Sequence, residues 1–256
     1  MDIKEVTFSY DKKRDTLNGI DSSIDIGKVT TIIGPNGCGK STLLGVLSNH
    51  YQPQNGDVLL DGKSLAEFKP KELARKLAVV HQQNNAPSDM TVEKLTAYGR
   101  IPYKSLFASS TKEDEKAIEW ALASTNLLDK RHMPIDSLSG GQMQRVWIAM
   151  ALTQQTPYLF LDEPTTYLDI FYQYELLELV SSLNKQQGMS IVMVLHDINQ
   201  AIKYSDIIIV MKNGRIAAKG KPEDIITANL IRDIYGVNVV VKQDPAAGMY
   251  IVPVGI

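Results

Sequence analysis

The chain has 256 residues, enough for one large α/β domain or two small ones. Its formal charge of −2 gives no electrostatic reason to expect nucleic acid as a partner. The single cysteine, Cys38, excludes an intrachain disulfide and a cysteine-built zinc site, and no apolar run approaches the roughly 20 residues that cross a bilayer.

In chain order, Asp2 to Tyr10 alternates in part and reads as a strand. The opening Met1-Asp2-Ile3-Lys4-Glu5 lacks the apolar stretch of a secretory leader, so a reduced, cytosolic setting is expected. Asn18-Gly19 and Gly27-Lys28 read as turns around a strand over 20–26. Lys28 to Ile33 reads as a buried strand, and the apolar spacing after Ser41 predicts a helix. Further strands are expected at 55–62 and 77–80, with a short helix starting at Pro70. From about 86 to 152 helical periodicity dominates, with Thr91 and Ser110 or Thr111 as caps. Strands then return at 157–162, 190–195 and 207–211, around an amphipathic helix over 171–185. Asn213-Gly214 reads as a hairpin turn. A small tail over 221–256 is expected to hold a helix near 222–226 and a strand at 237–241. Alternating strands and helices imply a mainly parallel sheet covered on both faces.

Between the buried strand and the first helix stands Gly34-Pro35-Asn36-Gly37-Cys38-Gly39-Lys40-Ser41-Thr42, which matches G-x-x-x-x-G-K-[ST]. Glycines let the backbone curl its N–H groups inward around phosphates, and the following helix N-terminus adds partial positive charge. Lys40 can reach the β and γ phosphates of a nucleotide, and the Ser41 hydroxyl can bind Mg²⁺. Strand 157–162 ends in two carboxylates, Asp162 and Glu163. In a phosphate-loop fold the first can hold the same Mg²⁺ and the second can polarise an attacking water. Leu138-Ser139-Gly140-Gly141-Gln142 precedes a helix expected over 143–152, with Ser139 at the N-cap and the glycines leaving backbone N–H groups open to an anion. Alone, such a run is also an ordinary cap. Cys38 reads as loop scaffold, and His50, His81 and His132 show no ligand spacing.

These motifs in this order resemble the ATP-binding subunit of an ABC transporter, over nearly the whole chain. Residues 34–42 correspond to Walker A, 138–142 to the family signature, 159–163 to Walker B, Leu168-Asp169 to the D-loop and His196 to the switch histidine. The resemblance implies a P-loop NTPase (RecA-like) core with a mainly parallel sheet, an N-terminal antiparallel β subdomain and an inserted α-helical subdomain. It implies one ATPase domain over 1–256: core at 1–85 and 153–220, helical subdomain at 86–152, tail at 221–256. It also implies a head-to-tail homodimer, with ATP between residues 34–42 of one copy and Ser139, Gly140, Gly141 and Gln142 of the other. Tyr10 matches the aromatic that stacks on adenine; the lesser alternative is a strand-end aromatic in the core. Gln82 matches the glutamine that senses Mg²⁺ and the attacking water; Gln83 follows it, and His81 stands where a proline is frequent. His196 would contact the γ-phosphate, Glu163 would act as base, and Asp169 would shape the opposite site.

Tyr167 before Leu168-Asp169, the Trp147 to Ala151 stretch, Leu195 to Ala201, and Asp244 to Gly248 ahead of Ile251-Val252-Pro253 are similar to the subgroup that imports iron chelates. Ferric-siderophore uptake is the implied task, with haem, cobalamin or metal as other cargoes. The implied partners are permease subunits, docking near residues 83–105, and indirectly an extracytoplasmic substrate-binding protein. The implied place is the cytoplasmic face of a bacterial membrane, peripherally bound. A soluble ABC ATPase acting on ribosomes or DNA usually fuses two domains or carries a long coiled coil. Here about one hundred residues separate Walker A from the signature, with no heptad run. An inactive regulatory paralogue is at odds with intact Lys40, Asp162, Glu163 and His196.

Overall fold

In chain order the elements open with β1 (Asp2–Phe8), β2 (Leu17–Ser23), β3 (Val29–Ile33), α1 (Lys40–Leu47), β4 (Asn55–Leu60) and β5 (Lys63–Ser64). The middle of the chain follows with α2 (Pro70–Leu73), β6 (Leu77–Val80), α3 (Val92–Ala97), α4 (Lys112–Ser124), α5 (Gly140–Leu152), β7 (Tyr158–Leu161) and α6 (Ile170–Gln187). The last part holds β8 (Ser190–Val194), α7 (Ile198–Tyr204), β9 (Ile207–Lys212), β10 (Arg215–Gly220), α8 (Pro222–Ile225), α9 (Ala228–Tyr235), β11 (Asn238–Asp244) and β12 (Gly248–Gly255). This computed structural model describes residues 1–11, 14–87, 89–104 and 110–256. The chain divides into two compact units, the first Met1–Glu67 with Ser190–Ile256 and the second Phe68–Met189.

In the first unit, β10, β9, β3 and β8 lie side by side in that order. β3 runs parallel to both β8 and β9. Every residue of β3 and β8 is buried, as expected of parallel strands covered on both faces. The antiparallel set β2-β1-β4-β5 belongs to the same unit. Asn18-Gly19 is not a turn, as the sequence suggested, but lies inside β2. Phe8 pairs with Leu17 and Val6 with Ile20, so β2 carries one extra residue across this step, and Gly19 takes φ 58°. A bulge thus absorbs the turn-forming dipeptide.

The tail is richer than the sequence pattern suggested. Thr227 caps α9 by accepting from the Leu230 N–H at 3.1 Å, Ile231 and Ile234 are buried beneath it, and Gly236 closes it at φ 72°. β11 then pairs with β12 in a hairpin where only one strand was expected. The Asn199 amide grips that hairpin, donating to the Ile251 carbonyl at 3.2 Å and accepting from its N–H at 2.8 Å.

In the second unit, β6 and β7 pair in parallel with Val80 opposite Leu161. The helices α3, α4 and α5 carry its apolar stripe through Val92, Leu95, Ile118, Leu122, Val146 and Ile148, all buried. A buried ion pair stands inside it. Arg100 Nε donates to Asp114 at 2.7 Å, and its other nitrogens reach the Thr153 carbonyl and Gln155, each at 2.9 Å. Burial pushes the Asp114 carboxyl up, but bonds from Thr111 and Arg100 outweigh it and hold the group below its ordinary value.

Candidate functional site

The two units carry different halves of the expected site residues. In the first, β3 delivers the chain into residues 34–42, and α1 begins at Lys40. The curl comes from glycine: φ is 153° at Gly34, 75° at Gly37 and 104° at Gly39. Gly39 stands at the N-cap of α1, where no side chain caps the helix, so its first turn points backbone donors at the loop's concavity. The Lys40 side chain is tucked into the same concavity. Lys40 is 5% exposed, and its ammonium donates to the carbonyls of Gly34 at 2.9 Å and Pro35 at 3.2 Å. A cation held inside a ring of backbone donors suits a polyphosphate. Burial pushes the Cys38 thiol up from its ordinary value, with nearby Lys40 opposing the shift, so the group stays a neutral thiol at the loop's edge.

Tyr10 resolves towards the surface. It is 61% exposed just past β1, with its ring edge-on to Phe8 and Tyr51 at 5.0 and 5.4 Å between centroids. Its hydroxyl meets Thr42 Oγ1 at 3.0 Å, tying the aromatic to the phosphate loop. Beside it opens a cleft of about 710 Å³ lined by Tyr10, Asp11, Arg14, Asp15, Thr16, Asn18, Gly37, Asn213 and Gly214. That volume is in the range of a small-molecule site. Arg14, Asn18 and the Asn213-Gly214 turn were not expected there. The turn was legible as a turn, but its position beside the loop depends on β9 lying next to β3. His196 is exposed in the link between β8 and α7, and Asp197 after it caps α7 by accepting from the Gln200 N–H at 2.9 Å.

In the second unit, strand register brings Gln82 and Glu163 together. Val80 is opposite Leu161, so residues two positions beyond each strand end face one another. Gln82 Nε2 donates to Glu163 Oε2 at 2.6 Å, and Thr166 Oγ1 donates to the same oxygen at 3.3 Å. Glu163 holds φ 50°, a left-handed conformation unusual for a glutamate. Strain of this kind persists where surrounding bonds over-determine it. Asp162 is half-buried, and its backbone N–H reaches the Val80 carbonyl at 2.9 Å.

The signature stretch corrects the expected helix start. Helix α5 begins at Gly140, not at 143, so the two glycines lie inside its first turn. A capping box overrides their poor helix propensity: Ser139 Oγ accepts from the Gln142 N–H at 3.3 Å, and Gln142 Oε1 accepts from the Ser139 N–H at 3.0 Å. Gly141 has a packing reason too, since a Cβ there would lie 3.0 Å from the Tyr172 ring. Asp169 caps α6, accepting from the Tyr172 N–H at 3.4 Å, and Tyr167 is 89% exposed at φ 65°. A cleft of about 350 Å³ runs past Gln82, Gln83, Gly140, Trp147 and Tyr167. The docking groove expected over 83–105 includes residues 88 and 105, which lie outside the described residues. Among the described residues, no helix is long and apolar enough to cross a membrane.

Known proteins share both the sequence and the fold. The ABC transporter family model matches residues 17–166. The ferric enterobactin transport ATP-binding protein FepC of Escherichia coli is 45% identical, over 98% of this chain and 93% of that protein. The iron(3+)-hydroxamate import ATP-binding protein FhuC of Bacillus subtilis is 43% identical, over 90% of this chain and 85% of its own length. Among solved structures, the dimeric structure of a bacterial ABC transporter cassette superposes with a TM-score of 0.76 at 30% identity, covering 86% of this chain and 98% of that one.

Proposed function

The chain belongs to the ABC transporter family, and on that premise we propose that it is the ATP-hydrolysing subunit of an importer for a ferric siderophore. The observation that carries the cargo is the near full-length similarity to subunits named for iron-chelate import. The chemistry follows from the two half-sites. The loop at 34–42 would wrap the phosphates of ATP, with Lys40 exchanging its carbonyl partners for β and γ oxygens. Tyr10 would stack on adenine from its exposed position.

Glu163 is the candidate base. A carboxylate oxygen already accepting from Gln82 and Thr166 is fixed in direction, and its role is to accept a proton from the attacking water. His196 would contact the γ-phosphate. Ser41 of the first unit and Gln82 and Asp162 of the second would offer Mg²⁺ a hydroxyl, an amide and a carboxylate oxygen, the hard ligands it prefers. Gln82 directs its Nε2 to Glu163, so Oε1 is the atom suited to a cation. Mg²⁺ would neutralise charge on the β and γ phosphates.

The second phosphate surface is Ser139, Gly140, Gly141 and Gln142, which would close on the nucleotide held by a second copy in a head-to-tail dimer. Asp169 would shape that opposite site. The dimer would sit peripherally on the cytoplasmic face of the membrane, beneath permease subunits that receive cargo from an extracytoplasmic binding protein. The test is uptake of radiolabelled iron as its siderophore complex in cells lacking this chain. Uptake should return with the native chain and stay absent with Lys40→Ala. Full iron uptake in the deleted cells, with loss of haem or cobalamin uptake instead, would move the cargo to those compounds.

A further inference from the structure

The phosphate-binding loop is held by residues from the far end of the chain, all within the first unit: it is bonded at Cys38 and packed on β9 at Gly34. At the Cys38 end, the Gly214 N–H donates to the Cys38 carbonyl at 3.0 Å. The Gly214 carbonyl in turn accepts from the Asn18 N–H at 2.9 Å, and Asn18 Nδ2 donates to the Asn213 carbonyl at 3.3 Å. No side chain fits at this point. Gly214 stands at φ 74°, and a Cβ would lie 2.5 Å from both the Thr16 carbonyl oxygen and Asn18 Nδ2. At the Gly34 end the loop presses on β9, where a Cβ would lie 2.4 Å from the Met211 carbonyl oxygen. Tyr235, the last residue of α9, lies half-buried near Gly34 and Cys38. Burial, with a smaller contribution from Cys38, raises this phenol well above its ordinary value, so it stays a neutral hydroxyl. Helix α9 is itself tied to β9, because the Lys212 ammonium donates to the Asp233 carbonyl.

From this geometry we infer that Asn18 and the Asn213-Gly214 turn are positioning residues that hold the phosphate loop in its curled form and thereby set nucleotide affinity. A loop with three left-handed glycines has many alternative shapes, and ordering it on binding costs affinity. Bonding it at Cys38 and packing it at Gly34 from outside removes much of that cost before the nucleotide arrives. The β9–β10 turn is then part of the nucleotide site's framework as well as of the cleft's lining.

The inference rests on reading residues 34–42 as the ATP site, so its test has one arm without nucleotide. Amide hydrogen exchange across 34–42 in the full chain should speed up in Asn18→Ala and in Gly214→Ala. ATP affinity by calorimetry should fall about tenfold in each, the scale of one lost hydrogen bond. Gly236→Ala is the control. It places comparable strain at φ 72° in the same segment, with nothing within 4 Å of the added Cβ. It should leave loop exchange and ATP affinity at the native values. Unchanged loop exchange in Asn18→Ala, which removes one bond and adds no atom should Gly214→Ala misfold, would overturn the inference. So would an equal loss in Gly236→Ala, and faster exchange with unaltered ATP affinity would overturn the link to binding. A native chain that binds no ATP would instead defeat the ATP reading, while the exchange arm still decides the brace.

Discussion

Glu163 illustrates how a single residue's placement follows from strand register. The pairing of Val80 with Leu161 puts Gln82 and Glu163 level with one another, two residues beyond parallel strand ends. The resulting 2.6 Å bond orients the carboxylate that the motif pattern marks as a base. Tyr10 makes a second residue-scale point. Its alternation in sequence is compatible with core or surface, and only the packing of its ring edge on Phe8 and Tyr51 leaves the face exposed. Base–aromatic stacking contributes about 1–3 kcal/mol. Tyr10→Ala should therefore raise the KM for ATP roughly tenfold or more at little change in kcat, while Tyr10→Trp should keep it near native. Steady-state kinetics over a range of ATP concentrations separates the two.

At the scale of elements, the motif-bearing segments were legible because their signals are local. A phosphate loop needs glycines, lysine and a hydroxyl within nine positions, and caps need one side chain near one N–H. What the pattern missed depends on strand pairing or on which of two competing local signals wins. Asn18-Gly19 looks like a turn until pairing of β1 with β2 turns it into a bulge. The glycines at 140 and 141 look like a loop until the Ser139–Gln142 capping box draws them into α5. Ser139→Ala should cost about 1 kcal/mol of stability through the lost cap, measured by urea unfolding.

The Arg100–Asp114 pair could not be inferred from spacing either, since its third and fourth partners come from the end of α5 and beyond. Its side chains are 5% and 3% exposed, so Arg100→Ala leaves a buried carboxylate without its cation. The expected loss is about 3–5 kcal/mol, seen as a lower urea midpoint. The pH dependence has a definite sign. Asp114 is held below its unfolded value, so its contribution is present at neutral pH and is lost as pH falls below the ordinary aspartate range. Unfolding curves across acidic pH should flatten in Arg100→Ala relative to the native chain.

For the molecule as a whole, the two phosphate-binding surfaces carry the argument. Residues 34–42 belong to the first unit, Ser139 to Gln142 to the second. A solved cassette of the family is dimeric, and in the head-to-tail dimer proposed above each copy would supply one surface to its partner's nucleotide. The far end of the chain adds a third layer, because the β9–β10 turn reaches back to the loop at 34–42. Iron-chelate cargo is a property of the assembled importer, and at this scale the chain's own task is ATP turnover.

The most direct measurement is therefore steady-state ATP hydrolysis by Glu163→Gln, with light scattering on the same sample. The account predicts a rate at least about 100-fold below native, the scale of losing a general base. It also predicts a doubling of mass on adding ATP, as unhydrolysed nucleotide holds two copies together. Native turnover in Glu163→Gln, or a monomer at saturating ATP, would contradict it.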